Sequence, residues 1–173
     1  MTNWYMLTLI GEDRRGIVAA VAQALYDRGM NLGEASMLRL GGNFTIMMMV
    51  SGADSAAAVQ EAVGQTAGDY GLRMHVDEIT GGLHQHIVPN VHVTVTGADR
   101  AGIVAQVAGA LADAGLNILD LESDVAGSAA KPVYIMQIAG LADTPIEDLE
   151  AAVAGLRAEG VDVRVSPIET MVG

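Results

Sequence analysis

The chain has 173 residues, 51% of them hydrophobic, with a formal net charge of −12 and no cysteine. That composition supports a packed core and argues against disorder. It also excludes disulfides, thiolate nucleophiles and cysteine-held metals. The excess of acidic residues opposes direct contact with a phosphate backbone, whose affinity comes from Lys and Arg, so direct nucleic-acid binding is not expected.

No apolar run approaches the roughly 20 residues needed to cross a bilayer. The first ten residues carry no Lys or Arg ahead of their apolar stretch, so they do not read as a secretory signal. The expectation is a soluble, cytoplasmic protein with no membrane partner.

In chain order, a first strand is expected over Tyr5–Ile10. A helix from about Arg14 to Arg28 follows, with Ile17, Val21 and Leu25 forming one apolar stripe at i, i+4 and i+8. Gly29 stands just past its last turn, where a left-handed residue commonly ends a helix. Two strands, Glu34–Leu40 and Phe44–Val50, are joined by a turn at Gly41-Gly42-Asn43. The run Ile46-Met47-Met48-Met49-Val50 is apolar on both sides of its strand, as expected where neither face meets water. A second helix and a strand, Leu72–Ile79, complete the first half.

The same order then repeats. Gly11 to Asn31 aligns without gaps on Gly97 to Asn117, and 14 of 21 positions are identical. Two modules and a linker follow from that repeat: residues 1–82 as a first module, 83–89 as a linker and 90–173 as a second module. The Gly-Gly and Pro of the segment Thr80–Pro89 fit a break between packed units. The second half reads as a strand at Val91–Thr96, with Val91, Val93 and Val95 alternating against polar residues. A helix over Arg100–Ala114 has Ile103, Val107 and Leu111 as its stripe and Gly115 beyond it. Strands at Leu119–Val125 and Val133–Ala139 flank a longer loop through Gly127–Pro132. The last helix is marked by Thr144 as N-cap, Pro145 at the first helical position and Glu147 closing a capping box. Leu149, Val153 and Leu156 are its buried face, and Val161–Pro167 is the final strand.

The order β-α-β-β-α-β, met twice, is that of an α+β, ferredoxin-like module: an antiparallel sheet with both helices on one face. The other face of each sheet needs a cover, and a second module is the obvious candidate.

The best-marked chemical feature is the strand-to-helix turn, Gly11-Glu12-Asp13-Arg14-Arg15-Gly16-Ile17, repeated as Gly97-Ala98-Asp99-Arg100-Ala101-Gly102-Ile103. Asp13 and Asp99 fall where an N-cap would lie. Gly16 and Gly102 fall in the first turn, where glycine is a poor helix former and suits a close approach to the backbone. Free amides and the positive end of the helix dipole favour a carboxylate there. A capping Asp and a small residue for helix–sheet packing explain the same positions without any ligand. Two glycines in this spacing do not make the dinucleotide fingerprint.

Taken together, Gly-x-Asp-Arg-x-Gly-Ile-Val, a helix, and Gly-x-Asn within a βαββαβ unit resemble the ACT domain family of small-molecule sensing modules. The resemblance covers nearly the whole chain as two modules. A stand-alone pair of this kind is similar to the glycine cleavage system transcriptional repressor family. The first half is also similar to the regulatory module of formyltetrahydrofolate deformylases, whose catalytic domain is absent here. The resemblance implies two modules packed side by side, with amino-acid ligands held between them. One site would use Gly11, Asp13, Arg14, Gly16 and Ile17 with Asn117. The other would use Gly97, Asp99, Arg100, Gly102 and Ile103 with Asn31. The turn amides would hold the ligand carboxylate, an Asp or Asn oxygen its ammonium, and Ile17 or Ile103 would exclude larger side chains. Many ACT pairs carry Pro where Arg15 and Ala101 stand, and its absence leaves the shape of the loop open.

Other signals are weaker. His84 and His86 form an HxH pair in the linker, with His75 and His92 in the strands to either side, but no carboxylate stands at ligand spacing, so no metal is expected. Asp120, Glu122 and Asp124 alternate along one strand and read as a solvated acidic row rather than a calcium loop. Ser36, Ser51, Ser123 and Ser166 lack any nucleophile elbow, and no phosphate loop is present. Neither catalysis nor a cofactor is expected. The function the resemblance implies is a regulator that binds a small amino acid such as glycine or serine. It would act through a protein partner such as a DNA-binding regulator in the control of glycine and one-carbon metabolism. The alternative is a regulatory subunit of an amino-acid biosynthetic enzyme, such as that of acetolactate synthase, which usually shows one clear signature rather than two. The sheet edges leave room for a homodimer in either case.

Overall fold

The computed structural model describes residues 3–80, 87–98 and 101–168. The chain divides into two compact units, residues 1–85 and 86–173. The first runs β1 (Trp4–Glu12), α1 (Ile17–Tyr26), β2 (Asn31–Leu40), β3 (Asn43–Ser51), α2 (Ala56–Asp69) and β4 (Arg73–Ile79). The second runs β5 (Val91–Ala98), α3 (Ile103–Asp113), β6 (Leu116–Ser128), β7 (Lys131–Ala142), α4 (Ile146–Arg157) and β8 (Val161–Pro167). Each unit is a four-stranded antiparallel sheet, ordered β2-β3-β1-β4 in the first and β6-β7-β5-β8 in the second. These are two ferredoxin-like βαββαβ modules, as the repeat predicts.

Periodicity explains the cores. Inward residues of β1, namely Tyr5, Leu7 and Leu9, meet Val50, Met48 and Ile46 of β3 in register and pack under the α1 stripe of Ile17, Val21 and Leu25. In the second unit Val91, Val93 and Val95 of β5 pack with Ile138 and Met136 of β7 under Ile103, Val107 and Leu111. Each such side chain, removed from water, contributes about 1.5–3 kcal/mol before its entropy cost. Both helices α1 and α3 end as expected on left-handed glycines, Gly29 (φ 71°) and Gly115 (φ 94°). In α1 the pair Met30 N–H to Leu25 O at 3.1 Å and Gly29 N–H to Tyr26 O at 2.9 Å closes the last turn.

Several local expectations are corrected. Helices α1 and α3 begin at Ile17 and Ile103, three residues later than the pattern suggests. The reason is backbone geometry: Gly16 (φ 91°) and Gly102 (φ 86°) are left-handed, which no α-helical residue can be, so the helix starts only after them. Asp13 is therefore not the N-cap of α1. Helix α4 begins at Ile146, with Pro145 as its extended N-cap (ψ 148°) and no side-chain cap bond, so the expected Thr144–Glu147 capping box does not form. The Thr144 hydroxyl donates instead to the Ala114 carbonyl at 3.0 Å, serving the end of α3. The loop expected through Gly127–Pro132 is a tight hairpin, because β6 runs to Ser128 and β7 starts at Lys131. Left-handed Gly127 (φ 90°) allows that bend, and a Cβ there would lie 2.5 Å from the Lys131 carbonyl. The β3 run is shielded on both faces only in part: Met48 and Val50 are buried on the helix side and Met49 on the other, but Met47 is 47% exposed.

Candidate functional site

Strand β1 ends at Glu12 beside the tight β2–β3 turn, where Glu12 stands opposite Asn43 and Gly11 opposite Phe44. From there the chain rises through Asp13–Arg15 to left-handed Gly16 and enters α1. The first intrahelical bond is Ala20 N–H to Gly16 O at 2.9 Å, and its equivalent in the second unit is Gln106 N–H to Gly102 O, also 2.9 Å. Neither helix has a side-chain cap bond. Helix α2 shows the contrast: Ser55 Oγ accepts from the Ala58 N–H at 3.2 Å. Among the described residues, the N-cap positions of α1 and α3 thus lack the side-chain acceptor that Ser55 gives α2, which suits an incoming carboxylate.

The side chains around the first turn are tied down in ways that sequence spacing does not reveal. Asp13 Oδ2 sits 2.7 Å from Arg39 Nε of β2, and the Asp13 N–H reaches the Gly42 carbonyl at 3.4 Å. Arg14 pairs with Glu12 at 3.5 Å, both largely exposed. Gly11 and Gly97 stand in close packing: a Cβ at Gly11 would displace the Leu72 side-chain end, 2.7 Å away at Cδ2, and one at Gly97 would press on the Gly160 carbonyl at 3.2 Å. Gly16 and Gly102 are demanded by their positive φ. Ile17 and Ile103 are 2% and 3% exposed and belong to the two cores. Asp99 and Arg100 lie outside the described residues, as do His84 and His86.

Asn31 and Asn117 are exposed at the starts of β2 and β6. The register places them far from the turn of their own module. Asn31 is level with Ser51 and Trp4, at the opposite end of β1 from Glu12, which is roughly 25 Å along the strand. No single module brings its own turn and its own asparagine together.

Tyr70 was not singled out by any motif, yet a Cβ at Gly16 would lie 3.1 Å from its hydroxyl. A Gly102 Cβ would meet nothing within 4 Å. Arg39 likewise carried no signal, because its contact with Asp13 depends on the β2–β3 hairpin and not on a spacing. His75 and His92 belong to different sheets, on β4 and β5, and His75 pairs with Asp77 at 3.0 Å. Asp120, Glu122 and Asp124 are exposed on β6. Among the described residues, no group of three or more His, Asp or Glu is placed to hold a metal ion. No helix among them is long and apolar enough to cross a membrane.

Both halves match a known family: residues 5–77 and residues 91–157 each match a model of the ACT domain. A UPF0237 protein of Listeria monocytogenes is 32% identical over 85 residues, which is 46% of this chain and 96% of that protein. A UPF0237 protein of Corynebacterium diphtheriae is 34% identical over 74 residues, 41% of this chain and 83% of that one. Among solved structures, an unknown protein from Galdieria sulphuraria superposes with a TM-score of 0.79 at 25% identity, covering 98% of this chain and 100% of its own. A proposed glycine cleavage system transcriptional repressor superposes with a TM-score of 0.73, covering 98% of this chain and 99% of its own. At 20% identity that second likeness is one of fold.

Proposed function

The chain belongs to the ACT domain family, with one copy in each half and UPF0237 proteins among its relatives, and from that premise we propose that it is a regulator that binds glycine or serine and acts through a protein partner. The observation that carries the reading is the duplicated turn, in which a left-handed glycine, with no side chain to cap it, opens each helix. The first amides of the helix take the ligand carboxylate, a charge-assisted contact at its positive end. Asp13, whose Oδ2 is engaged by Arg39, keeps Oδ1 for the ligand ammonium. Asn31 and Asn117 supply further acceptors to a turn other than that of their own module. No group in this scheme performs catalysis.

Regulation follows by linkage. A ligand that binds one state of the protein better shifts the population toward it, by no more than its differential affinity for the two states. With a net charge of −12, contact with DNA falls to the partner, a DNA-binding regulator of glycine and one-carbon metabolism.

A thermal-shift series on the full chain with each common amino acid tests the reading. Ligand at 100 times its dissociation constant adds about 2.7 kcal/mol of stability, and each kcal/mol moves the midpoint by about 2–4 °C at this size. The expected result is a rise with glycine or serine that is lost in the Asp13→Ala, Asp99→Ala double variant and in the Asn31→Ala, Asn117→Ala double variant. No shift with any amino acid overturns the ligand assignment.

A further inference from the structure

The sheet of the first unit carries an open cleft of about 340 Å³, lined by Thr8, Ile10, Arg73, Met74 and His75. Its volume lies at the lower end of the range for small-molecule sites. Register explains its make-up. On the face of the sheet away from the helices, Ile10 of β1 stands opposite Arg73 of β4, Thr8 opposite His75, and Met6 opposite Asp77. A guanidinium, an imidazole and a hydroxyl therefore converge beside one aliphatic wall.

The charges in this row are unevenly spent. Asp77 engages His75 Nε2 at 3.0 Å, and along an extended strand it lies about 13 Å from Arg73, too far to neutralise it. Glu12, two positions beyond Ile10 on the same face, is held by Arg14 at 3.5 Å. Among the described residues Arg73 has no ion-pair partner.

The second unit supplies an internal control. The register equivalents of Arg73, His75 and Asp77 are Asp162, Arg164 and Ser166, facing Thr96, Thr94 and His92. There the arginine is answered by its own neighbour, with Arg164 Nε 3.3 Å from Asp162 Oδ2. The same position of one fold thus holds a satisfied pair in one copy and an unanswered guanidinium beside a cleft in the other.

We propose that this cleft is a binding site for a small oxyanion, a phosphate or carboxylate compound with an aliphatic portion. Arg73 grips two oxygens with its planar fork. Thr8 donates its hydroxyl, and His75, with Nε2 held by Asp77, donates from Nδ1 in its imidazolium form. Ile10 packs against the aliphatic part. The site is separate from the amides at the start of α1 and does not depend on the amino-acid reading.

Backbone-amide NMR of the full chain, titrated with inorganic phosphate and separately with acetate, tests it. Saturable shifts at Thr8, Ile10, Arg73, Met74 and His75 are expected with at least one of the two anions. Arg73→Ala weakens that binding at least about tenfold, as loss of a charge-assisted fork requires, while Arg164→Ala leaves it unchanged. Arg73→Asp, which copies Asp162, abolishes it with the rest of the amide spectrum intact, since the position is exposed. Tighter phosphate binding assigns a phosphate ester, and tighter acetate binding a carboxylate. The proposal is overturned if neither anion produces shifts, if they persist unchanged in Arg73→Ala, or if they fall at Gly16–Ala19 instead.

Discussion

Where the first unit sets Arg73 opposite Ile10, the second sets Asp162 opposite Thr96. The divergence extends across both outer sheet faces. Leu38 and Met47 of the first unit correspond in register to Asp124 and Gln137 of the second. Eight of the ten methionines fall in residues 1–85. That half carries nine acidic and five basic side chains, against twelve and four in residues 86–173. In the helix stripes the two units agree residue for residue, Ile17, Val21 and Leu25 against Ile103, Val107 and Leu111, while the strands beneath keep only apolar character, with Tyr5, Leu7 and Leu9 against Val91, Val93 and Val95. Duplication has kept what the core and the turn require and released the surfaces that neither constrains. The shared positions therefore report on stability and on the common turn, while the divergent ones are where the units acquire separate roles.

The largest expected effect tests the shared half of that comparison. Leu25 and Leu111 occupy the same place in α1 and α3, and both are 0% exposed. Leu25→Ala and Leu111→Ala should each cost about 2–5 kcal/mol, the lost transfer energy plus the cavity left behind. Urea denaturation followed by circular dichroism measures both. Costs differing by more than about 2 kcal/mol would mean that the two cores relax differently around the same hole.

Next in size are the turn glycines. Alanine at a left-handed position costs about 1–2 kcal/mol, so Gly16→Ala and Gly102→Ala should both destabilise. Gly16→Ala should cost more, because its Cβ would press on the Tyr70 hydroxyl at 3.1 Å while Gly102 has open space. Repeating Gly16→Ala in a Tyr70→Phe background should remove the excess. Equal costs for the two glycines in the native background would break this distinction between the turns.

These positions also mark how far local pattern carries. The helix stripes and the glycine C-caps were legible because they depend on residues within two turns of one another. The duplicated glycines pointed to the right loop, but not to its conformation. An Asp followed by an apolar run looks like an N-cap, yet the left-handed backbone at Gly16 overrides it. Thr144 also looks like a cap, but the carbonyl it serves belongs to Ala114, 30 residues earlier. Tyr70 beside Gly16 and the cleft beside Arg73 arise from α2 folding back and from strand register. Both are long-range facts with no periodic trace.

The smallest effect probes a divergent position next to a shared one. Asp13 keeps its counterpart in Asp99, but Arg39, its partner at 2.7 Å, corresponds in register to Val125. Arg39 is 65% exposed and Asp13 29% exposed, so water screens the pair and its coupling should be only about 0.2–1 kcal/mol. A double-mutant cycle of Asp13→Asn and Arg39→Val isolates that term, and 1 M salt should weaken it as the screening length falls to about 3 Å. A coupling near zero would leave Asp13 positioned by its N–H bond to Gly42 alone. A coupling in the expected range means that Arg39 holds the Asp13 carboxylate of the first turn. The first turn's carboxylate would then be fixed before any ligand arrives, and ordering it on binding would cost the first site less.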